Sequence, residues 1–241
     1  MTTRNTVAGL IAVVMTTVIG AIWISDGPDP SLLPEFADEV WVGSDGPLFV
    51  ARYEVTISEW NRCVYDGDCS IELKPRPGFD PDTTPATGLN WFDAQDYAGW
   101  ISKATGHPMR LPTMSEWAAV AADVIPEAPD PAFTDPALAW ASSYVTEEGY
   151  SRALESIGSF AVSPDGISDL DGPVWEWTSD CYDPSVPELR CAAFYAGGLH
   201  TSVLSPLTKD PARGGCAVGA PPAHLGVRLV SDQSPPQRRQ I

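Results

Sequence analysis

The chain holds five cysteines and three histidines, side chains well suited to binding metals, attacking electrophiles or moving protons. Cys63 and Cys69 flank Val-Tyr-Asp-Gly-Asp, where Asp66-Gly67-Asp68 can turn the chain back, a spacing that suits a local disulfide. Cys181 and Cys191 flank a proline-bearing loop and form the next candidate pair. Four cysteines admit three pairings, and this is the nearest-neighbour set. Cys216 is left over beside Gly214-Gly215. It has three open readings: a small buried hydrophobe, an intermolecular partner or a reactive thiol with Arg213 nearby to lower its pKa. His200 follows Gly197-Gly198 and precedes Ser202, which raises hydrolase chemistry. A triad also needs an orienting acid, a nucleophile elbow and an oxyanion hole, and the sequence shows none of them. His200, His107 and His224 therefore read as hydrogen-bonding loop residues.

The elements that would position these groups announce themselves through caps. Thr56-Ile57-Ser58-Glu59 is a capping box, so a short helix carrying Trp60 and Val64 should follow. Asn90 to Asp93 repeats the signal, for a helix that runs to about Thr105 and stops at Gly106. Ala94, Tyr97, Ala98 and Ile101 recur at three- and four-residue intervals and mark its buried face. Thr113 to Glu116 caps a third helix, from Trp117 to Val124, ended by Pro126. A hairpin is expected over residues 40–52, and short strands over 157–162, 174–178, 192–196 and 227–230. This is a mixed α+β domain.

Thirty-two acidic against 14 basic residues leave a net charge of −18, which would repel phosphate and excludes nucleic acid as a partner. Residues 6–24 are uncharged and apolar, long enough to span a hydrocarbon core of about 30 Å. Arg4 precedes them while Asp26, Asp29 and Glu35 follow, so the positive-inside rule places the rest of the chain outside the cytoplasm. The expected organisation is a signal anchor at 1–25, a stiff linker at 26–38, one domain at 39–231 and a disordered tail at 232–241. This makes a single-pass inner-membrane protein with its folded domain in the periplasm.

Six phrases in fixed order resemble the sulfatase-modifying-factor family of formylglycine-generating enzymes and their relatives. They are Tyr53-Glu54-Val55-Thr56 with Glu59-Trp60; Asn90-Trp91-Phe92-Asp93-Ala94 with Tyr97 and Trp100; Thr105-Gly106 through Arg110-Leu111-Pro112-Thr113 to Glu116-Trp117; Ile157-Gly158-Ser159-Phe160 leading to Val174-Trp175-Glu176-Trp177; Gly197-Gly198; and Gly226-Val227-Arg228. The resemblance implies a compact, irregular variant of the C-type-lectin fold.

The resemblance also implies which residues to inspect. Members that oxidise a sulfatase cysteine bind copper(I) through two cysteines after the glycine turn; here those positions hold Ser202 and Leu207, neither a ligand for a soft ion. Ergothioneine-type relatives bind iron through a histidine cluster on a separate domain for which this chain has no room. No copper or iron is expected. Relatives wrap a structural calcium with the loop that maps onto Asp169, the carbonyls of Gly172 and Val174, and Glu176, so calcium is the candidate cofactor. The bland alternative is that Asp169 caps a turn and Glu176 pairs with an arginine such as Arg110 or Arg228. A second calcium site of relatives falls near residues 140–143, where its asparagine is missing.

Some relatives accompany periplasmic redox enzymes as accessory proteins. The expected function is thus a non-catalytic accessory or binding module, with a membrane contact through the N-terminal helix and a periplasmic protein partner. An enzyme of the same fold with different chemistry is the alternative, its candidate cleft formed by His200, Ser202 and Arg228. A carbohydrate-binding lectin-like module ranks third, on fold analogy alone.

Overall fold

The computed structural model describes residues 27–42, 46–125, 153–209 and 223–236. The apolar segment 6–24, Cys216 and residues 140–143 lie outside them. Among the described residues no helix is long and apolar enough to cross a membrane.

The three capped helices form as their sequences direct. They are α1 (Ile57–Asp66), α2 (Trp91–Thr105) and α3 (Met114–Ala121), and each opens on a complete capping box, Thr56/Glu59, Asn90/Asp93 and Thr113/Glu116. Gly106 ends α2 in the left-handed region at φ 67°, a conformation glycine adopts without steric cost. The third helix stops three residues short of the expected Val124, well before Pro126.

Among the described residues seven short strands make two sheets. In the first, β1 (Val40–Trp41), β2 (Pro47–Val50) and β7 (Val230–Ser231) run in that order, and β1 and β2 are the expected hairpin. In the second the order is β5 (Ser202–Leu204), β4 (Phe194–Gly197), β3 (Val174–Cys181) and β6 (His224–Gly226), with β3 and β6 parallel. The strand expected over 227–230 is instead split. Val227, Arg228 and Leu229 cross from one sheet to the other, with Val227 and Leu229 carbonyls accepting from Val55 and Ala51 N–H at 2.8 and 2.9 Å. The strand expected over 157–162 does not form either. Gly158 and Phe160 aim their N–H groups at the carboxylate of Asp169, so they have none to offer a neighbouring strand.

One apolar cluster lies between α1, α2 and the four-stranded sheet, and a second, including Trp117, Val120, Ile167 and Val230, lies beside the three-stranded one. Buried indoles in the first find acceptors: Trp60 at Ile71 O, Trp91 at Thr178 O and Trp177 at Leu89 O. Both expected disulfides are present, Cys63–Cys69 and Cys181–Cys191.

Two expected boundaries move. The linker from residue 27 onward is a strap on the domain surface rather than a spacer. Asp29 N–H bonds Ala104 O at 2.7 Å, occupying a carbonyl at the end of α2, and Leu33 is buried. The tail is pinned where it starts, because Ser231 is buried in β7 and Asp232 pairs with Arg110. Apolar Leu33 and the ion pair available to Asp232 outweigh the proline-rich composition on either side.

Because α3 carries Trp117 to its buried partner, its cap is a sensitive point. Thr113→Ala should cost about 1 kcal/mol, read as a lower urea midpoint with an unchanged slope.

Candidate functional site

Three carboxylates and one guanidinium meet where the two sheets join. Arg228 is buried on the crossover between β6 and β7. Its Nε donates to both Glu176 oxygens at 2.9 and 3.1 Å, and Nη2 lies 2.8 Å from Oε1. Nη1 donates to the carbonyls of Ala51 and Arg52, and Nη2 to that of Ser168. Glu176 on β3 also accepts from Trp117 Nε1 at 2.7 Å. Glu54, at the end of the segment leaving β2, lies 3.6 Å from Arg228 Nη2.

Asp169 stands beside this group at φ 69°. Its carboxylate accepts from the backbone N–H of Gly158 and Phe160, which fastens the loop before β3. That makes Asp169 a turn cap and gives Glu176 an arginine partner, Arg228. Arg110 instead pairs with Glu116 and Asp232. The donor set expected for calcium does not fit the ion as arranged here. The side-chain oxygens of both acids already accept protein donors, and a cation already faces Glu176.

The other expected site residues do not converge. Ser202 is fully buried in β5, paired across from Ala196, whereas Leu207 is 70% exposed. His200 lies edge-on against Trp175, ring centroids 4.4 Å apart. Arg228 is inside the core, so His200, Ser202 and Arg228 form no shared cleft. The glycine turn beside them is a packing device: a Cβ at Gly197 or Gly198 would fall 2.2 Å from Trp117 or Trp175. His107 is buried too, with Nε2 lacking a hydrogen-bond partner, where a surface loop residue was expected.

A cleft of about 290 Å³ lies elsewhere. Ser31 to Glu35 of the strap form one wall. Tyr53, Glu54, Glu59 and Arg62 line the side made by the segment after β2 and by α1, with Tyr97 of α2 adding a buried aromatic surface. Glu54 is only 3% exposed, and its Oε2 has no hydrogen-bond partner. Burial pushes its pKa up to about 8 against the pull of Arg228, with Glu176 and Asp169 adding to the rise.

Comparisons with known proteins bear on this geometry. Residues 37–233 match the model of the Sulfatase-modifying factor enzyme 1-like domain. The chain belongs to that family. Its fold is similar to that of PvdO from Pseudomonas aeruginosa, with a TM-score of 0.52 at 19% identity over 82% of this chain and 92% of that one. It is also similar to CarF, with a TM-score of 0.50 at 15% identity over 84% and 100%. Among curated relatives, the serine/threonine-protein kinase pkn1 of Chlamydia caviae is 26% identical over 127 residues, 53% of this chain. The match spans only 18% of that kinase, so the likeness covers a small part of the longer protein.

The family's phrases now have physical roles. The glutamates of the first and fourth phrases and the arginine of the last are the buried charges Glu54, Glu176 and Arg228. The cleft and the singular position of Glu54 were missed by sequence reasoning. A partial signal existed, since Glu176 and Arg228 are each a lone charge inside an apolar run and Glu54 stands between Tyr53 and Val55.

The raised pKa has a measurable consequence. Between the ordinary value of 4.5 and about 8, the folded protein holds a proton on Glu54 that the unfolded chain has released. Stability from this group therefore falls as pH rises through that window, by about 1.4 kcal/mol per pH unit at most. Urea titrations from pH 5 to 8 should show this slope, and Glu54→Gln should flatten it.

Proposed function

We propose that this chain is a non-catalytic binding module of its family, held at the outer face of the inner membrane by residues 6–24. The observation that carries the reading is the state of the thiols and of the two positions where the family's copper ligands would stand. All four described cysteines are in disulfides. Ser202 is sealed in β5 and Leu207 points its apolar side chain to solvent, so this part of the chain presents neither a thiol pair nor a soft-metal ligand. What remains is a rigid frame with a preformed cleft on another face, which is a common arrangement in proteins that bind rather than transform.

Two disulfides and a net charge of −18 suit an oxidising compartment and a soluble, non-nucleic-acid surface. The apolar stretch and its flanking charges support the membrane tether. A periplasmic protein partner, such as a redox enzyme, fits that setting.

The test is an oxidation assay on the copper-loaded, full-length chain with a cysteine peptide of the sulfatase type, followed by mass spectrometry. The peptide should stay a thiol or dimerise, with no aldehyde. Formylglycine at a rate above that of free copper would overturn the reading and direct attention to Cys216.

A further inference from the structure

Residues 71–76 follow the Cys63–Cys69 disulfide and belong to no helix or strand, yet their burial alternates. Ile71, Leu73 and Pro75 are half-buried, while Glu72, Lys74 and Arg76 are exposed. This is the alternation of an extended chain. One edge of the segment is occupied. Trp60 Nε1 donates to the Ile71 carbonyl at 2.7 Å. Asn61 of α1 takes both backbone groups of Leu73, its Nδ2 donating to the carbonyl at 2.9 Å and its Oδ1 accepting from the N–H at 3.0 Å. Backbone groups of successive residues in an extended chain point to opposite edges, so those of Lys74 point away from α1. The N–H groups of Lys74 and Arg76 have no acceptor among the described residues.

The side chains beside this open edge are a second observation. In a chain of net charge −18, Arg52, Lys103, Arg110, Lys209 and Arg228 each pair with an acid. Lys74 and Arg76 stand two positions apart on the outward side of the segment and pair with none among the described residues. A slot of about 90 Å³ adjoins them. Buried Ile57 and Leu154 and half-buried Leu73 and Phe79 line it, with Lys74 and Arg76 at the rim and no acid among its described lining residues. Glu72, the third outward side chain, does not line it.

These features specify an occupant. A strand laid on the open edge would accept from the Lys74 and Arg76 N–H groups, which gives affinity for main chain irrespective of sequence. Its outward side chains would lie across from two unpaired cations, where opposite charge is favoured. The inward side chain between them would meet the slot. About 90 Å³ equals about three water volumes, room for one aliphatic side chain.

We propose that residues 72–76 are a docking edge for an extended acidic segment of a partner protein, which adds as a strand, seats an aliphatic side chain in the slot and sets carboxylates against Lys74 and Arg76. The proposal rests on the binding-module reading and names the partner's chemistry. Its failure would leave that reading standing, because the thiol oxidation assay does not involve this edge.

Calorimetric titration of the purified full-length chain with acetyl-Glu-Leu-Glu-Leu-Glu-amide tests it. The peptide should bind, and forms with Gln for every Glu, with Ala for every Leu, or with an N-methylated backbone should each bind about tenfold more weakly. Lys74→Glu combined with Arg76→Glu reverses both charges and should also weaken binding about tenfold. Its thermal midpoint should not change, because both side chains are exposed. The altered peptides decide the matter on the wild-type chain should that variant fold poorly. No binding of the parent peptide, equal binding of the glutamine form, or equal binding by wild type and the double variant would overturn the proposal. Self-association of the full-length chain in sedimentation runs, abolished by the double variant, would assign the edge to a second copy and overturn it as well.

Discussion

The guanidinium of Arg228 is the point on which the middle of the domain hangs. It is buried, and its donors reach β3 through Glu176, the segment after β2 through Ala51 and Arg52, and the loop before β3 through Ser168. Trp117 ties α3 to the same carboxylate. A buried ion pair gains little over a well-packed apolar core, but removing one partner costs about 3–5 kcal/mol because the other charge is stranded. The arrangement acts more as a specification than as a source of stability. Four stretches distant in sequence, around residues 51–54, 117, 168–176 and 228, share one charged centre, and alternative packings would leave it unsatisfied.

The same centre accounts for the neighbouring oddities. The strand expected over 227–230 breaks because Arg228 must face inward at the seam between two sheets. Asp169 takes a positive φ to hold Gly158 and Phe160, and so sets the loop whose Ser168 carbonyl receives Arg228. Glu54 is drawn into the interior by the guanidinium but finds it already committed, so burial raises its pKa and the carboxyl borders the cleft. The strap completes that cleft, its Leu33 buried and Asp29 bonded to the end of α2.

Local chemistry made much of this fold readable in advance. Three capping boxes, Gly106 at a helix end and the Asp66-Gly67-Asp68 turn between two cysteines are short-range signals, and each helix start and both disulfides follow from them. Long-range decisions were less readable. Whether residues 157–162 pair as a strand depends on a carboxylate about ten positions away, and whether Arg228 faces a cleft or a core depends on Glu176 on another strand. The cleft was hidden for the same reason. Its walls are the strap, the segment after β2, α1 and one face of α2, and composition alone marked the strap as a linker.

The central claim is that a built-in cation, Arg228, holds Glu176 and, through the Ser168 carbonyl, the loop of Asp169 in place. Thermal unfolding of the full-length chain in millimolar calcium and in excess chelator tests it most directly. The account predicts the same midpoint in both, because the side-chain oxygens of Asp169 and Glu176 already have protein donors. A midpoint that drops by several degrees in chelator and is restored by calcium would contradict it, and would mean that these carboxylates exchange their protein donors for the ion.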